Sequence, residues 1–345
     1  MRLLVAGGAG YIGSMLVPAL IECGYDVDVI DLLWFGNYLP RGTSLTRKEL
    51  FQCTEDDLRK YEQVIFLAGI SNDPMAEYAP SHNFIYNGAL PSYLAYLAKK
   101  AGVKRYVYAS SCSVYGYNVS ELCHEESSVK CGYPYGISKL QGERGVCQLQ
   151  DSSFSTIVLR QGTVCGWSPR MRFDLIVNGM YKNAVVDGVV VVNNPSIWRP
   201  ILDVRDACSA FMRAIQADYR ISGTFNVASA NYVVGHVGDL VKGAIESVLK
   251  KRVRLDLKNV QEYRSYKVSC DSARITLGFE PRYTVADTIS SLHEHYEAYG
   301  DMESENYYNI RSFVRQIKPE PSLTTPDDRA LEGVSARSRC GAGVT

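Results

Sequence analysis

The stretch that decides the fold is Gly7-Gly8-Ala9-Gly10-Tyr11-Ile12-Gly13. It follows the apolar run 2–6, which is typical of a buried strand, and it precedes a helical pattern over 14–23. Gly7 permits a tight turn, Gly10 lets the backbone approach a pyrophosphate, and Gly13 allows close helix–strand packing. Because the helix N-terminus also presents free N–H groups, the stretch predicts a dinucleotide-binding turn.

The cofactor is predicted from Asp31, which ends a second β-rich run at 25–32, eighteen residues after Gly13. A carboxylate there accepts hydrogen bonds from the adenosine ribose and repels a 2′-phosphate. No Arg or Lys follows it before Arg41. The pattern favours NAD over NADP, and the alternative is a plain tight turn with a surface aspartate.

Strand and helix patterns alternate along the first half of the chain. Strand-like runs at 62–68, 105–111 and 154–160 are separated by helical patterns at 87–101 and 135–150. Strands that alternate with helices indicate a parallel sheet with helices on both faces. We therefore predict an α/β protein, a Rossmann-type doubly wound parallel sheet with a smaller C-terminal α/β substrate-binding lobe.

The pattern becomes less regular after Gly162, and the helix at 284–299 is expected to be the last packed one. From about Gln316, Pro, Ser, Thr, Gly and charged residues replace large apolar ones, which indicates a flexible tail. The predicted units are an NAD-binding domain at 1–165 with 200–230 returning to it, a substrate-binding lobe at 166–310 and the tail at 316–345.

The composition excludes several classes of protein. Hydrophobic residues make up 46% and charged residues 21% of the 345 residues, which suits a globular chain with a real core. Lys plus Arg and Asp plus Glu both number 37, so no net charge draws the chain to nucleic acid or membrane. The ten scattered cysteines form no CxxC pair, so we expect no metal site and a cytoplasmic protein with reduced thiols.

Tyr135-Gly-Ile-Ser-Lys139 places a phenol and an ammonium on one helix face, four residues apart. A phenol has a pKa of about 10 and is a poor base at neutral pH. A nearby ammonium together with a cationic nicotinamide ring is expected to lower that pKa by roughly one to three units. Tyr135 could then take a proton from a sugar hydroxyl. The alternative is an exposed helix face.

A serine-rich segment, 110–116, closes the fourth predicted strand. Parallel sheets bind ligands beyond the carboxyl ends of their strands. Ser111 and Ser113 share one face, whereas Cys112 points to the other and is expected to pack in the core. Ser111 could hydrogen-bond the reacting hydroxyl, and the alternative is a polar strand end that turns into a loop.

With these motifs the chain resembles an extended short-chain dehydrogenase/reductase of the nucleotide-sugar epimerase/dehydratase family. The resemblance covers about residues 1–295 and is specific for the family rather than for a substrate. The segments that carry it are Gly7–Gly13 with Asp31, Leu67-Ala68-Gly69, Asn87, Ser110–Gly116, Tyr135–Lys139, Leu159–Thr163, Trp198–Asp206, Gly223–Val227 and Arg264–Tyr266.

The resemblance implies a role for each matching residue. Ser111, Tyr135 and Lys139 would be the catalytic residues, and two copies of the chain would pair through helices 87–101 and 135–150 into a homodimer. The implied cofactor-binding residues are Gly7, Gly10, Tyr11, Ile12, Gly13, Asp31, Leu67, Ala68, Gly69, Asn87, Tyr135 and Lys139. The implied substrate-binding residues are Ser111, Ser113, Asp174, Asn178, Arg199 and Arg264, the two arginines gripping the nucleotide diphosphate.

The chain departs from the family at two positions that bear on its activity. Cys112 and Ser113 stand where the 4,6-dehydratases of this family carry an Asp-Glu pair, and Ser113 also replaces a glutamate of the sugar-acid decarboxylases. We therefore expect an NAD-dependent epimerase of a nucleoside-diphosphate sugar, acting at C4 through a 4-keto intermediate. The alternatives are a nucleotide-sugar dehydratase or 4-ketosugar reductase, and a non-catalytic NAD-binding regulatory protein.

Overall fold

The structure is a computed structural model that describes residues 1–260 and 264–318. Its strands are β1 (Arg2–Ala6), β2 (Asp26–Asp31), β3 (Ser44–Arg47), β4 (Gln63–Phe66), β5 (Arg105–Ser111), β6 (Tyr117–Cys123), β7 (Ser155–Gln161), β8 (Thr163–Cys165), β9 (Val189–Asn193), β10 (Trp198–Asp203), β11 (Gly223–Val227), β12 (Ala230–Val233), β13 (Arg254–Lys258) and β14 (Ser265–Val268). Its α-helices are α1 (Gly13–Glu22), α2 (Glu55–Leu58), α3 (Asp73–Tyr78), α4 (Pro80–Phe84), α5 (Leu90–Lys100), α6 (Pro134–Cys147), α7 (Ile176–Asp187), α8 (Val204–Gln216), α9 (Val234–Leu249), α10 (Val285–Glu294) and α11 (Asn309–Gln316). Short 3-10 or π segments lie at Leu50–Gln52, Ile85–Ala89, Cys112–Tyr115, Ala273–Leu277, Tyr296–Ala298 and Glu305–Tyr307.

Seven strands form one parallel sheet in the order β11-β7-β5-β4-β1-β2-β3. The strand order reverses beside β1, because β2 and β3 lie on one side of it and β4, β5, β7 and β11 on the other. Ala6, at the end of β1, is paired with both Ile30 and Phe66. A crevice therefore opens beyond the strand ends between β1 and β4, where doubly wound sheets bind their ligands. The predicted Rossmann-type sheet is confirmed.

Alternate residues of β1 face two different helical layers. Leu3 and Val5 pack among the apolar side chains of α1 and α8, whereas Leu4 and Ala6 pack among those of α5. All four are fully buried. A strand buried on both faces must be apolar throughout, which explains why the run 2–6 carries no alternation.

The C-terminal half adds a lobe beside the sheet. Helices α7, α9 and α10 share one apolar cluster with the two-stranded pair β9 and β13. A second small sheet, β12-β10-β8, connects this lobe to the end of β7. Strand β11 and helix α8 pack on the main sheet, so the chain returns there after β10. The lobe stands next to the crevice and forms one wall of it.

The C-terminal end of the chain differs from the sequence-based expectation. Helix α10 ends at Glu294, and a further packed helix, α11, follows with Phe313 fully buried. The prediction that 284–299 is the last packed helix is therefore wrong. Helix α11 was not predicted because it has only eight residues and its apolar side chains pack on distant segments. The tail predicted at 316–345 lies outside the described residues from 319 onward.

Within residues 1–260 and 264–318, no helix combines the length and the apolar character that a membrane crossing requires.

Candidate active site

A cavity of about 700 Å³ occupies the crevice between the sheet and the C-terminal lobe. A smaller cavity of about 100 Å³ adjoins it beside the ends of β1 and β2. Gly10, Leu67, Ala68 and Gly69 line both cavities, so the two form one continuous groove. This groove has the shape that an extended dinucleotide requires, with room at one end for a second ligand.

The glycine turn between β1 and α1 forms the floor of the groove. Gly7 has a φ of 79°, and a Cβ there would lie 2.4 Å from the backbone nitrogen of Ala68. A Cβ on Gly13 would lie 2.3 Å from the carbonyl oxygen of Gly8, so this glycine is required by packing and does not line the groove. A Cβ on Gly10 would stand in open space. The one protein atom within 4 Å of it would be the Gly7 carbonyl oxygen, at 3.4 Å. Tyr11 and Ile12 line the larger cavity.

Asp31 lies in the smaller cavity at the end of β2. Its two carboxylate oxygens accept hydrogen bonds from the backbone nitrogens of Ala9, at 3.0 Å, and Leu33, at 2.7 Å. Burial raises the pKa of this carboxyl, and the backbone donors act in the opposite direction. Each oxygen retains a lone pair that can accept a hydrogen bond from a ribose hydroxyl.

Ser111, Tyr135 and Lys139 meet in the larger cavity. Ser111 ends β5, and Tyr135 and Lys139 lie one turn apart at the start of α6. The Ser111 side chain faces the same cavity as the Tyr135 phenol and lowers the pKa of that phenol. The Lys139 Nζ atom lies 5.9 Å from the centre of the Tyr135 ring and donates to the carbonyl oxygen of Ala109 at 3.0 Å.

Burial shifts the pKa values of both Tyr135 and Lys139. Burial raises the pKa of Tyr135, the charge of Asp73 adds to that effect, and the Ser111 hydroxyl opposes it. Burial also lowers the pKa of Lys139 to about 8, against the attraction of Glu143. The sequence-based expectation that Lys139 helps to lower the pKa of Tyr135 is therefore not met in the protein alone. Its ammonium is bonded to Ala109, and a phenolate here requires a further positive charge in the groove.

Arg170 is the main residue of the groove that sequence reasoning missed. It is 2% exposed, lines the larger cavity, and none of its three guanidinium nitrogens has a hydrogen-bond partner among the described residues. Its guanidinium carbon lies 4.1 Å from the centre of the Phe35 ring. Burial, together with the charge of the neighbouring Arg172, lowers the pKa of Arg170 to about 9. The signal was a pair of arginines, Arg170 and Arg172, separated by a single methionine and followed by Phe173.

The buried guanidinium of Arg170, which has no hydrogen-bond partner among the described residues, shows whether the groove suits NAD. An unpaired buried cation is costly unless a ligand supplies the opposite charge, and a guanidinium matches phosphate oxygens bidentately. Arg170 lines the cavity together with Gly10 and Tyr11, where the open backbone of the glycine turn faces the same space. The residues present therefore fit the diphosphate of NAD, with Asp31 placed to hold its ribose.

Asp174, predicted to contact substrate, lines the larger cavity as half of an ion pair. Its oxygens accept from Arg172 Nε at 2.8 Å and Nη2 at 2.9 Å, and from Asn72 Nδ2 at 3.1 Å. Burial favours the protonated form, but Arg172 more than offsets this and holds the pKa of Asp174 below its usual value. The pair links the C-terminal lobe to the loop after β4.

Two predicted ligand-contacting residues lie behind the groove and do not line it. Asn178 is fully buried, accepts from the Gly166 nitrogen at 2.8 Å and donates to the Tyr11 hydroxyl at 3.2 Å. Asn87 is also fully buried and bonds both backbone groups of Ile70, at 3.0 and 2.8 Å. Both amides position the backbone that lines the cavities, because their hydrogen-bonding atoms are used within the protein.

Arg199 and Arg264, for which the motifs predict diphosphate binding, both line the wall of the larger cavity. Arg199 stacks over the Tyr266 ring at 5.5 Å and donates to the carbonyl oxygen of Arg264. Arg264 forms an ion pair with Asp73, which also lines the cavity. The Ser113 hydroxyl lies 3.4 Å from that of Tyr266, so Ser113 borders the same region.

The segment after Ser111 carries no second reactive group. Cys112 is fully buried, and its thiol donates to the carbonyl oxygen of Arg160 at 3.1 Å. Burial raises the pKa of this thiol well above its ordinary value, so it stays protonated. Among residues 1–260 and 264–318, no group of three or more His, Cys, Asp or Glu side chains is placed to hold a metal ion.

Residues 3–228 match the model of the NAD dependent epimerase/dehydratase family. The chain is 33% identical over 178 residues to UDP-glucose 4-epimerase 3 of Oryza sativa subsp. japonica, covering 46% of this chain and 47% of that protein. It is 27% identical over 285 residues to UDP-glucose 4-epimerase of Neisseria meningitidis serogroup C, covering 72% of this chain and 80% of the relative. The chain spans about half the length of several curated relatives it matches.

Solved structures show the same fold. MoeE5 in complex with UDP-glucuronic acid and NAD has a TM-score of 0.76 at 25% identity, covering 86% of this chain and 99% of that chain. UDP-glucose 4-epimerase from Thermotoga maritima with UDP-glucose has a TM-score of 0.75 at 23% identity, with the same coverage. At 23% identity, the similarity to the Thermotoga maritima enzyme shows the fold alone.

Proposed function

The chain belongs to the NAD-dependent epimerase/dehydratase family, and we propose that it is an epimerase that inverts C4 of a nucleoside-diphosphate sugar. The observation that carries the proposal is the meeting of Ser111, Tyr135 and Lys139 in one cavity beside the glycine turn. Epimerisation at C4 needs one proton-transfer group and no separate group to eliminate water. Cys112 and Ser113 offer no acid–base pair, which favours this reaction over dehydration.

In the proposed reaction Tyr135 is the general base and then the general acid. NAD held by the glycine turn, Asp31 and Arg170 would supply the acceptor and then the donor of the C4 hydride, which is returned to the opposite face of the 4-keto sugar. Tyr135 removes the proton from the C4 hydroxyl and later gives it back, while the Ser111 hydroxyl hydrogen-bonds the same oxygen. Lys139, at the Ala109 carbonyl beside Gly69, is placed to hold the nicotinamide ribose and to keep positive charge near the phenol.

The substrate is proposed to lie with its diphosphate at Arg199 and Arg264. Guanidinium groups match phosphate oxygens, and both arginines share the cavity with the catalytic trio. Arg264 would exchange its ion pair with Asp73 for the diphosphate as substrate enters. The relatives named UDP-glucose 4-epimerase make UDP-sugars the first substrates to test.

A panel of UDP-, GDP-, dTDP- and CDP-sugars tests the activity. Each is incubated with the protein and NAD, and in a parallel reaction with NADH, and the products are examined by mass spectrometry and NMR. We expect one sugar to keep its mass and to acquire new signals for the inverted C4 proton. Loss of one water from the sugar would indicate a dehydratase instead. Consumption of NADH would indicate a reductase, and no change with any sugar would indicate a non-catalytic protein.

We also propose a homodimer and a cytoplasmic location. Helices α5 and α6 pack side by side, and α5 leaves Tyr93 and Tyr96 exposed, 36% and 48%. A second copy would cover these rings and form a four-helix interface. The nine cysteines of the described residues are all free thiols, which supports a reducing compartment.

A further inference from the structure

Helix α11 connects the two walls of the groove. The backbone nitrogen of Asn309, its first residue, donates to Asp174 of the C-terminal lobe at 3.3 Å. The Asn309 side chain donates to the hydroxyl of Ser71, in the loop after β4, at 2.7 Å. Asn309 therefore joins the C-terminal lobe to the sheet half of the molecule. All three residues line the larger cavity.

The helix is anchored by Phe313, which is fully buried. The centre of its ring lies 5.7 Å from that of Trp34 and 6.1 Å from that of Tyr78. Trp34 lines the smaller cavity together with Asp31. The anchor of α11 therefore supports the wall of the groove at the end predicted to hold the adenosine ribose.

The start of α11 also forms part of the larger cavity. Asn309 and Ile310 line it, in the same cavity as Tyr135 and Arg172. Asn309 is 3% exposed, and its carboxamide oxygen has no hydrogen-bond partner among the described residues. A buried carbonyl oxygen without a donor is costly, so a ligand hydroxyl or amide in the cavity is expected to supply one.

We propose that α11 is a strap that holds NAD in the groove, with Asn309 as a further ligand-binding residue and Phe313 as its anchor. For NAD to leave, α11 must withdraw the Phe313 ring from Trp34 and Tyr78 and break both bonds of Asn309. That cost adds to the barrier for release. The inference rests on the proposed function in one respect: an epimerase that lost the reduced cofactor, NADH, within a turnover would be left with a keto sugar.

Four variants test the strap through the rate of cofactor release. A chain that ends at Tyr308 lacks α11, whereas a chain that ends at Lys318 keeps it. Phe313→Ala removes the anchor, and Val314→Ala removes a similar apolar group from the same helix at a position that is 40% exposed. Each protein is loaded with NADH, excess NAD is added without any sugar nucleotide, and the decay of NADH fluorescence gives the dissociation rate.

We expect release about tenfold faster or more from the chain ending at Tyr308 and from Phe313→Ala. Val314→Ala and the chain ending at Lys318 should stay within about twofold of the full chain. Equal rates for Phe313→Ala and Val314→Ala would overturn the proposal, as would an unchanged rate for a folded chain ending at Tyr308. Because no sugar nucleotide is present, failure of the epimerase assay leaves this result standing, and the reverse also holds.

Discussion

Tyr135 is the residue whose chemistry the proposed reaction needs most. Its side chain is half-buried and lines the cavity beside Ser111. Tyr135→Phe keeps the ring and removes the proton-transfer group, so we expect kcat to fall by about 10²- to 10⁴-fold. NAD binding should change little, which titration calorimetry can verify. Tyr117→Phe, at a ring that is 58% exposed, is the control, and equal kcat values for the two variants would contradict the role of Tyr135.

Replacing Arg170 should raise the stability of the NAD-free protein and lower its affinity for NAD. Arg170→Met removes a buried cation without a partner, so the NAD-free protein should gain about 1 kcal/mol or more in unfolding free energy. The same change removes a phosphate ligand and should weaken NAD binding by about 10- to 100-fold. Arg213→Met, on an exposed face of α8, should change neither. A destabilised variant with normal NAD affinity would show that Arg170 has a purely structural role.

At the residue scale, local spacing predicts some of the site. The step from Tyr135 to Lys139 is one helical turn, and Ser111 closes a strand, so the sequence alone indicates that these residues share a region. Arg170 and Asn309 could not be found this way. They reach the groove only because the chain crosses it again, first after β8 and then at α11.

At the element scale, helix α6 is held against the sheet by a buried ion pair. Arg160 of β7 bonds Glu143 of α6 through three contacts of 2.8 to 3.2 Å, with side chains 7% and 4% exposed. Since the same helix carries Tyr135 and Lys139, the pair positions the catalytic face as well as stabilising the fold.

Removing one partner of this pair should be far more costly than removing both. Arg160→Met leaves the Glu143 carboxylate buried and should lower the free energy of unfolding by about 3–5 kcal/mol. The double variant with Glu143→Leu should regain part of that loss, and Arg144→Met, an exposed neighbour, should have little effect. Urea unfolding measures all three, and a loss for Arg160→Met no larger than for Arg144→Met would refute the argument.

Elements with a clear period were predictable, and irregular ones were not. The pattern at 2–6 predicted β1, and that at 135–150 predicted α6, which ends at Cys147. Strand β3 was missed because three of its four residues are polar and it lies at the sheet edge. Helix α7 was missed because Asn178 and Lys182 are buried while Val186 is exposed, which obscures the helical period of polar and apolar residues.

At the scale of the whole molecule, the proposed homodimer can be tested on α5. Tyr96→Glu places a charge where the four-helix interface would exclude water, so the variant should be monomeric while the unchanged protein is dimeric. Tyr117→Glu, exposed on β6, should remain dimeric. Light scattering after size-exclusion chromatography distinguishes the two states, and a monomeric unchanged protein of 38.4 kDa would contradict the interface.

The overall architecture was predictable because one motif and the alternation of elements restrict the topology. The turn at 7–13 requires a strand before it and a helix after it, and right-handed crossovers then arrange the following strands. The packing of α11 depends on contacts with Trp34 and Tyr78, more than two hundred residues earlier in the chain. Such long-range contacts leave no local period in the sequence.

The most direct test of the central claim follows the hydrogen on C4. A nucleotide sugar accepted in the panel is prepared with deuterium at C4 and converted by the holoenzyme in ordinary water. The account predicts that both epimers at equilibrium retain the deuterium at C4, because the same hydrogen leaves and returns within one closed groove. Loss of the label to water, or its appearance in free cofactor, would contradict epimerisation through a 4-keto sugar.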